Sequence, residues 1–476
     1  MVSQHELRHA FRSIRFNSQR KSRLTFALLT LLILPVFAAA FAESYWVPYV
    51  DQVHQGHSAT TNRLTLCGLA DGTVVQVETE RFTLDVGDVL YIEPPALKEG
   101  LQVISDKPLH VWYLFKPAHY GLYEDCELRY SLLEESFLGA NYFIPTPNSE
   151  VSILAIADNT SIIVGASSYS LNSGQTLRLA SVMPGSFVSS NYPVMLVAVN
   201  YTTDHYGSTY AYSVLPVPFL DTSYYVPRQH PNSYQTPSDS SCVYVLAVKD
   251  STSVSIDATQ YTVNRGEIVV HYCTDEVGIS SNRPVYAVYI SDIYARDPWG
   301  SVFRHYEYAI PLIPARMGSV SAVVGSAASS SHGSPFTQIG LTSFTDSNWI
   351  DISTHGIIQE AFLLNRGERA YYHEGEIEGW DTAPLWIQAT AALQLTASTR
   401  YLWVGISEGT SALTVFGNRV DTLSAPSNVF ASDDHCDTVL ITWVDESLDE
   451  DGFIILEDNQ EIGRPGPDEE SYFHAG

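Results

Sequence analysis

Four sets of residues in this sequence have the types or spacing to do chemistry. The first is a histidine pair, His54 and His57 in "HQGH". That spacing can bring two imidazoles together on a helix, but no HExxH arrangement follows and the neighbouring residues read as loop. The second is an acid cluster, Asp445, Glu446, Asp449, Glu450 and Asp451. Its oxygens suit calcium, but the loop spacing of an EF-hand is missing. No metal or other cofactor is therefore expected. The third set is the five cysteines. Cys67 with Cys126 and Cys242 with Cys273 form a plausible pair of disulfides, and Cys436 is left over, although sequence alone leaves the connectivity open. No CxxC is present to argue for zinc or thioredoxin chemistry. There is also no GxSxG nucleophile elbow and no glycine-rich phosphate loop, so no catalytic residue can be assigned. The fourth set is aromatic. "KPAHYGLYEDCELRY", "YTTDHYGSTYAY" and "DIYARDPWGSVFRHYEYAIP" are rich in Tyr and His, and two of them share His-Tyr-Gly. His119, Tyr120, His205, Tyr206, Trp299 and His305 are the candidates for a ligand surface. Aromatic faces are good platforms for sugars, and Tyr is enriched where proteins bind one another. The competing reading is that these rings pack between modules and stiffen the array.

The elements that hold these loops come from a repeat. "DGTVVQVETERFTLDVGD", "DNTSIIVGASSYSLNSGQ" and "DSTSVSIDATQYTVNRGE" open at Asp71, Asp158 and Asp250, and each places a Gly sixteen positions after its Asp, at Gly87, Gly174 and Gly266. An Asp-x-Thr turn can hydrogen-bond nearby backbone amides and fix a tight reversal. The Gly supplies the positive φ that a hairpin turn needs. Each copy ends on a strand entered through Pro, as in "SDKPLHVWYL", "SSNYPVMLVAV" and "SSNRPVYAVYI", where the missing N–H is tolerated. "YWVP", "YFIP" and "YYVP" precede the three copies. A fourth, degenerate copy is read from "FTDSNWIDIS" and "LLNRGERAYY" around Asp346. Period-2 runs with regular turn signals predict an all-β chain. Tandem β-sandwich-like repeats are the first expectation, and a β-propeller formed by the repeats is the alternative.

The bulk numbers restrict location and partners. The first 42 residues hold six of the 25 basic residues and one of the 53 acidic ones, so the remainder carries a net charge of −33. Such a surface repels phosphate backbones, which excludes nucleic acid as an expected partner and opposes docking on anionic lipid. The basic start, the apolar run 24–42 and the small-x-small end at Ala40-Phe41-Ala42 read as a secretory signal peptide. The alternative is an uncleaved N-terminal membrane anchor.

"FLGANYFIPTP", "ADNTSIIV", "LNSGQTLRL" and "VSSNYPVMLVAVN" together resemble the N-terminal domain of the IgGFc-binding protein family, over roughly residues 45–314 and at its widest to 407. The resemblance implies adhesion or matrix association rather than catalysis. Immunoglobulin binding does not follow from it, because the shared residues read as turn and core positions. Residues from about 425, with Pro426, Trp443 and "EDGFIIL", resemble the first half of a fibronectin type III module. That resemblance makes the acid cluster a turn into a strand. It also puts the module's last strands, a partner for Cys436 and any C-terminal anchor beyond Gly476. The expected division is 1–42 signal peptide, 43–141, 142–223, 224–314 and 315–424 β repeats, and 425–476 the partial fibronectin type III domain. The expected function is a secreted or cell-surface, non-catalytic adhesion protein with an extracellular protein or glycan ligand. The alternatives are accessory β-modules of an extracellular glycan-active enzyme and a structural stalk.

Overall fold

The computed structural model describes residues 12–16, 43–48, 52–53, 57–117, 128–147, 149–200, 210–226, 235–239, 241–273, 277–296, 302–324, 334–354, 357–373, 385–403, 406–415, 427–431, 438–444, 453–457, 460–465 and 471–475. They belong to two compact units, one spanning Phe41–Arg419 and the other joining Met1–Ala40 to Val420–Gly476.

The larger unit holds four copies of one module, each made of two antiparallel layers built on four principal strands apiece. In the first copy the outer layer runs Glu80–Leu84, Thr73–Val77, Leu101–Ser105, Glu43–Val47, and the inner layer runs Val89–Ile92, His57–Gly68, Leu109–Pro117, Leu128–Ser131. In the second copy the two third-position strands fuse into one long strand, Phe187–Asn200. Its first half pairs with Gly139–Phe143 and Thr160–Val164, and its second half with Ser149–Ala155 and Tyr210–Ser213. Gly278–Arg296 and Leu385–Trp403 play the same part in the third and fourth copies. The degenerate copy around Asp346 therefore folds as a full module. Its hairpin Asn348–Thr354 and Ile357–Leu364 pairs as the earlier hairpins do.

Strand formation follows the alternation in the sequence. Thr73–Val77 buries Thr73, Val75 and Val77 and turns Val74 and Gln76 outward. Thr252–Ile256 repeats the pattern with Thr252, Val254 and Ile256 buried. The repeated turn residues act as latches. The carboxylates of Asp71, Asp158 and Asp250 each accept the backbone N–H fifteen positions later, at Val86, Ser173 and Arg265, at 3.0, 3.1 and 3.0 Å. Asp346 does the same for Arg366 at 3.1 Å across its longer hairpin. The Thr hydroxyls donate back to the carbonyl three residues earlier, at 2.6 Å for Thr73 and Thr160 and 2.7 Å for Thr252. Replacing Asp158 by Ala should lower unfolding free energy by about 1 kcal/mol, the ordinary size of one exposed latch. Chemical denaturation checks this, and an unchanged midpoint would show that the latch adds nothing to stability.

The tyrosines of the Tyr-x-x-Pro connectors are corner pieces. Tyr142 donates its hydroxyl to Val194 O at 2.5 Å and accepts Gly139 N–H at 3.0 Å. Tyr224 donates to Val285 O at 2.8 Å and accepts Asp221 N–H at 2.7 Å. Tyr45 donates to Leu109 O at 2.9 Å. In all three copies the acceptor is the residue after the strand proline. One buried ring thus ties the first strand of a module to its kinked third strand.

The four copies form a ring. Leu128–Ser131 packs beside Tyr210–Ser213, which packs beside Val302–Pro311, which packs beside Ile406–Val415, which packs in turn against Leu128–Ser131. Equivalent residues meet on this inner circle, since Ser213 Oγ donates to Ser131 O at 2.5 Å. The contacts between successive copies also repeat. Gly100 abuts Gly174, Gly185 abuts Gly266, and Tyr225 lies against Gly367. Arg265 stands over the rings of Phe187 and Phe143 at 5.0 and 5.4 Å. Trp386 of the fourth copy packs with Cys67 and Trp112 of the first. One head-to-tail interface used repeatedly closes when its rotation divides the circle. Each copy is thus sandwich-like, as expected, and the innermost strands of the four copies surround a common axis.

The expected bridge between Cys242 and Cys273 is not formed, and Cys67 is also outside any disulfide. Cys242 lies opposite Tyr272 in the ladder, so Cys273 falls one position beyond and points to the other face. Cys242 joins the large shared core and Cys273 the separate core of the third copy. A disulfide needs converging Cβ vectors, and side chains on opposite faces of a sheet diverge. Cys126 and Cys436 lie outside the described residues.

In the smaller unit, Ser427–Ala431, Thr438–Val444 and Ser471–Ala475 form one sheet, and Arg12–Phe16, Phe453–Glu457 and Gln460–Gly463 form another. The rings of Trp443 and Phe453 meet at 4.9 Å with their planes tilted by 59°, in a small core with Ile441 and Ile455.

Candidate ligand-binding surface

The aromatic loops have a common position in the topology. Each joins the third strand of an inner layer to the innermost strand: Pro117 to Leu128, Asn200 to Tyr210, Arg296 to Val302. The fourth copy makes the same connection between Trp403 and Ile406. The innermost strands are ring neighbours, and the Ser213–Ser131 contact aligns the first two level with each other. The connecting residues themselves lie outside the described residues.

His119, Tyr120, His205, Tyr206 and Trp299 lie outside the described residues. His305 is on the strand Val302–Pro311, opposite Tyr294, in the part of the hairpin nearest its connection. His57 begins the strand His57–Gly68 opposite Val53, while His54 and the acid cluster at 445–451 fall outside the described residues. Among the described residues no group of three or more His, Cys, Asp or Glu is placed to hold a metal ion. No helix among them is long and apolar enough to cross a membrane.

Two titratable groups stand out from their surroundings. Cys67 is fully buried, and burial with the Asp88 charge pushes its thiol well above the usual range. A thiol so placed stays protonated and is a poor nucleophile. Glu43 starts the first strand and accepts Leu109 N–H at 2.8 Å and the Tyr45 hydroxyl at 3.0 Å. Burial pushes its carboxyl up to about 7, against those hydrogen bonds and with the Glu134 charge adding to the rise. Glu43 is tied into the Tyr45 corner, so its perturbation is a consequence of packing.

The structure adds exposed aromatics that the sequence reading passed over. Tyr272 is 71% exposed at the end of Ile268–Tyr272. Trp349 is 48% exposed on the outer layer of the fourth copy. Register could have revealed Trp349: aligning Asn348 with the buried Thr73, Thr160 and Thr252 puts the next residue on the outward face.

This is an all-β ring of repeated modules. The sequence model of the family described as IgGFc binding protein matches residues 128–303. The match begins on the innermost strand of the first copy and ends on that of the third, so it covers two full steps of the ring. None of the curated proteins compared matches the chain.

Proposed function

We propose that the chain is an exported, non-catalytic binding protein, secreted or held at a cell surface, that takes an extracellular protein or glycan on its aromatic loops. The observation that supports this reading is that Tyr- and His-rich segments connect the same two strands in three successive copies of the module. Binding residues are commonly placed on loops held by a rigid scaffold. The repeated residues of the modules are occupied in latches and corners, which leaves the loops to carry recognition. The match to the IgGFc binding protein family and the acidic charge support an extracellular binding role. The resemblance of residues from about 425 to a fibronectin type III module fits a spacer.

The test is a glycan and extracellular-protein array probed with the full chain and with a variant in which His119, Tyr120, His205 and Tyr206 are changed to Ala. Circular dichroism first establishes that both are folded. The expected result is a ligand retained by the wild type and lost by the variant. A panel in which the variant loses no ligand that the wild type retains would remove the loops from recognition, and the absence of any ligand would favour a structural stalk.

A further inference from the structure

Trp349 sits where its sister copies carry no aromatic. The equivalent outward positions hold Val74, Ser161 and Ser253, and the residues paired across the hairpin are Thr83, Ser170 and Thr262, whereas Trp349 faces Leu363. The module fold thus does not require an indole at this place. Nor is the ring loose. Its Nε1–H donates to Asp351 Oδ1 at 2.8 Å, two residues along the same face. That bond ties the indole to its own strand while 48% of the residue stays exposed to solvent. Leu363, 60% exposed, flanks it. Asp351 is paired in register with Gln388 on the next strand, and Gln388 is exposed. A flat aromatic face therefore lies beside a carboxylate and a carboxamide on a rigid antiparallel sheet.

We propose that this face is a second binding site, and that it takes a neutral pyranose oligosaccharide of β-gluco configuration. Such a sugar has an apolar face of axial C–H groups that stacks on an indole, and equatorial hydroxyls at its rim that a carboxylate and an amide can bond. The excess of acidic residues opposes anionic glycans and leaves neutral ones. Strand addition by a protein partner is disfavoured at the adjoining edge. Glu360 stands exposed and charged on the edge strand, opposite Ile352, and charged side chains on an edge oppose pairing with another chain. The site is on the outer layer of the fourth copy and is independent of the loops proposed above.

Isothermal titration of the full chain with cellohexaose and with N-acetylglucosamine hexamer tests the assignment. The wild type should bind one of them. Trp349→Ala should weaken that binding by at least about tenfold, the loss of one stacking platform. Trp349→Phe should retain part of it, and Asp351→Ala should weaken it with the fold intact by circular dichroism. The loop variant with His119, Tyr120, His205 and Tyr206 changed to Ala should bind as the wild type does, which separates this site from the loop surface. Binding that survives Trp349→Ala, or is lost in the loop variant instead, would overturn the proposal. So would the absence of binding to both sugars. Light scattering that showed a wild-type dimer converted to monomer by Trp349→Ala, without sugar binding, would reassign the face to contact between copies of the chain.

Discussion

Replacing Gly185 by Ala should destabilise the ring by roughly 3–5 kcal/mol, combining the cost of a side chain in the left-handed region with displacement of a neighbouring backbone. Gly185 has a φ of +79°, and a Cβ built on it would overlap the carbonyl oxygen of Gly266 in the next copy. The obstacle is main chain, so no rotamer relieves it. Gly266 is itself held, with a φ of +80° and its N–H donated to Ala247 O at 2.8 Å. Gly165 is the control. It also has a positive φ, +58°, but nothing lies within 4 Å of the added Cβ. Gly165→Ala should therefore cost only about 1–2 kcal/mol, the conformational part alone. Urea denaturation of the two variants reads the difference. Equal losses would mean that the close approach between the second and third copies contributes nothing to stability. Gly100 meets Gly174 in the same way between the first and second copies, so Gly100→Ala should repeat the larger loss.

The second large effect is a fall in stability as pH rises through neutrality, traced to Glu43. Its carboxyl titrates near 4.5 in the unfolded chain and is raised to about 7 in the fold, chiefly by burial. Between those values the folded state holds a proton that the unfolded state has released. Stability from this group is thus fully present below the unfolded pKa and is lost as pH climbs through the folded one. The shift corresponds to about 3 kcal/mol at most. Glu43→Gln keeps an acceptor for Leu109 N–H and the Tyr45 hydroxyl without the buried charge. Thermal unfolding at pH 5 and pH 8 should show the wild type losing stability at the higher pH and the variant losing less. A wild type as stable at pH 8 as at pH 5 would show that the carboxylate is solvated in the fold.

Much of the module was legible because its signals are local. Asp71, Asp158 and Asp250 announced turns, and their carboxylates latch the hairpins. Asp346 marked the fourth copy despite its stretched spacing, because one carboxylate can still reach Arg366 N–H across a longer hairpin. The disulfide expectation failed for a reason that proximity in sequence conceals. Cys242 and Cys273 are on adjacent strands, yet one residue of register separates them, and one residue of register reverses the face. The Tyr- and His-rich segments were legible as composition between the same two strands in successive copies, and most of their residues lie outside the described residues. Trp349 was hidden inside a segment that drew attention only for its Asp.

Alternation and turn chemistry, properties of residues two to twenty positions apart, determined an all-β repeat whose loops carry its aromatics. They could not say whether successive modules extend as a rod or return on themselves. That choice rests on contacts between modules, where Gly185 meets Gly266, Arg265 covers Phe187, and Trp386 reaches back to Trp112. Those residues are ordinary members of their own strands and turns. Only the tertiary structure reveals that each faces the next copy, because the angle between rigid modules is set by shape complementarity over a whole surface. The same closure brings innermost strands that are far apart in the chain side by side around one axis.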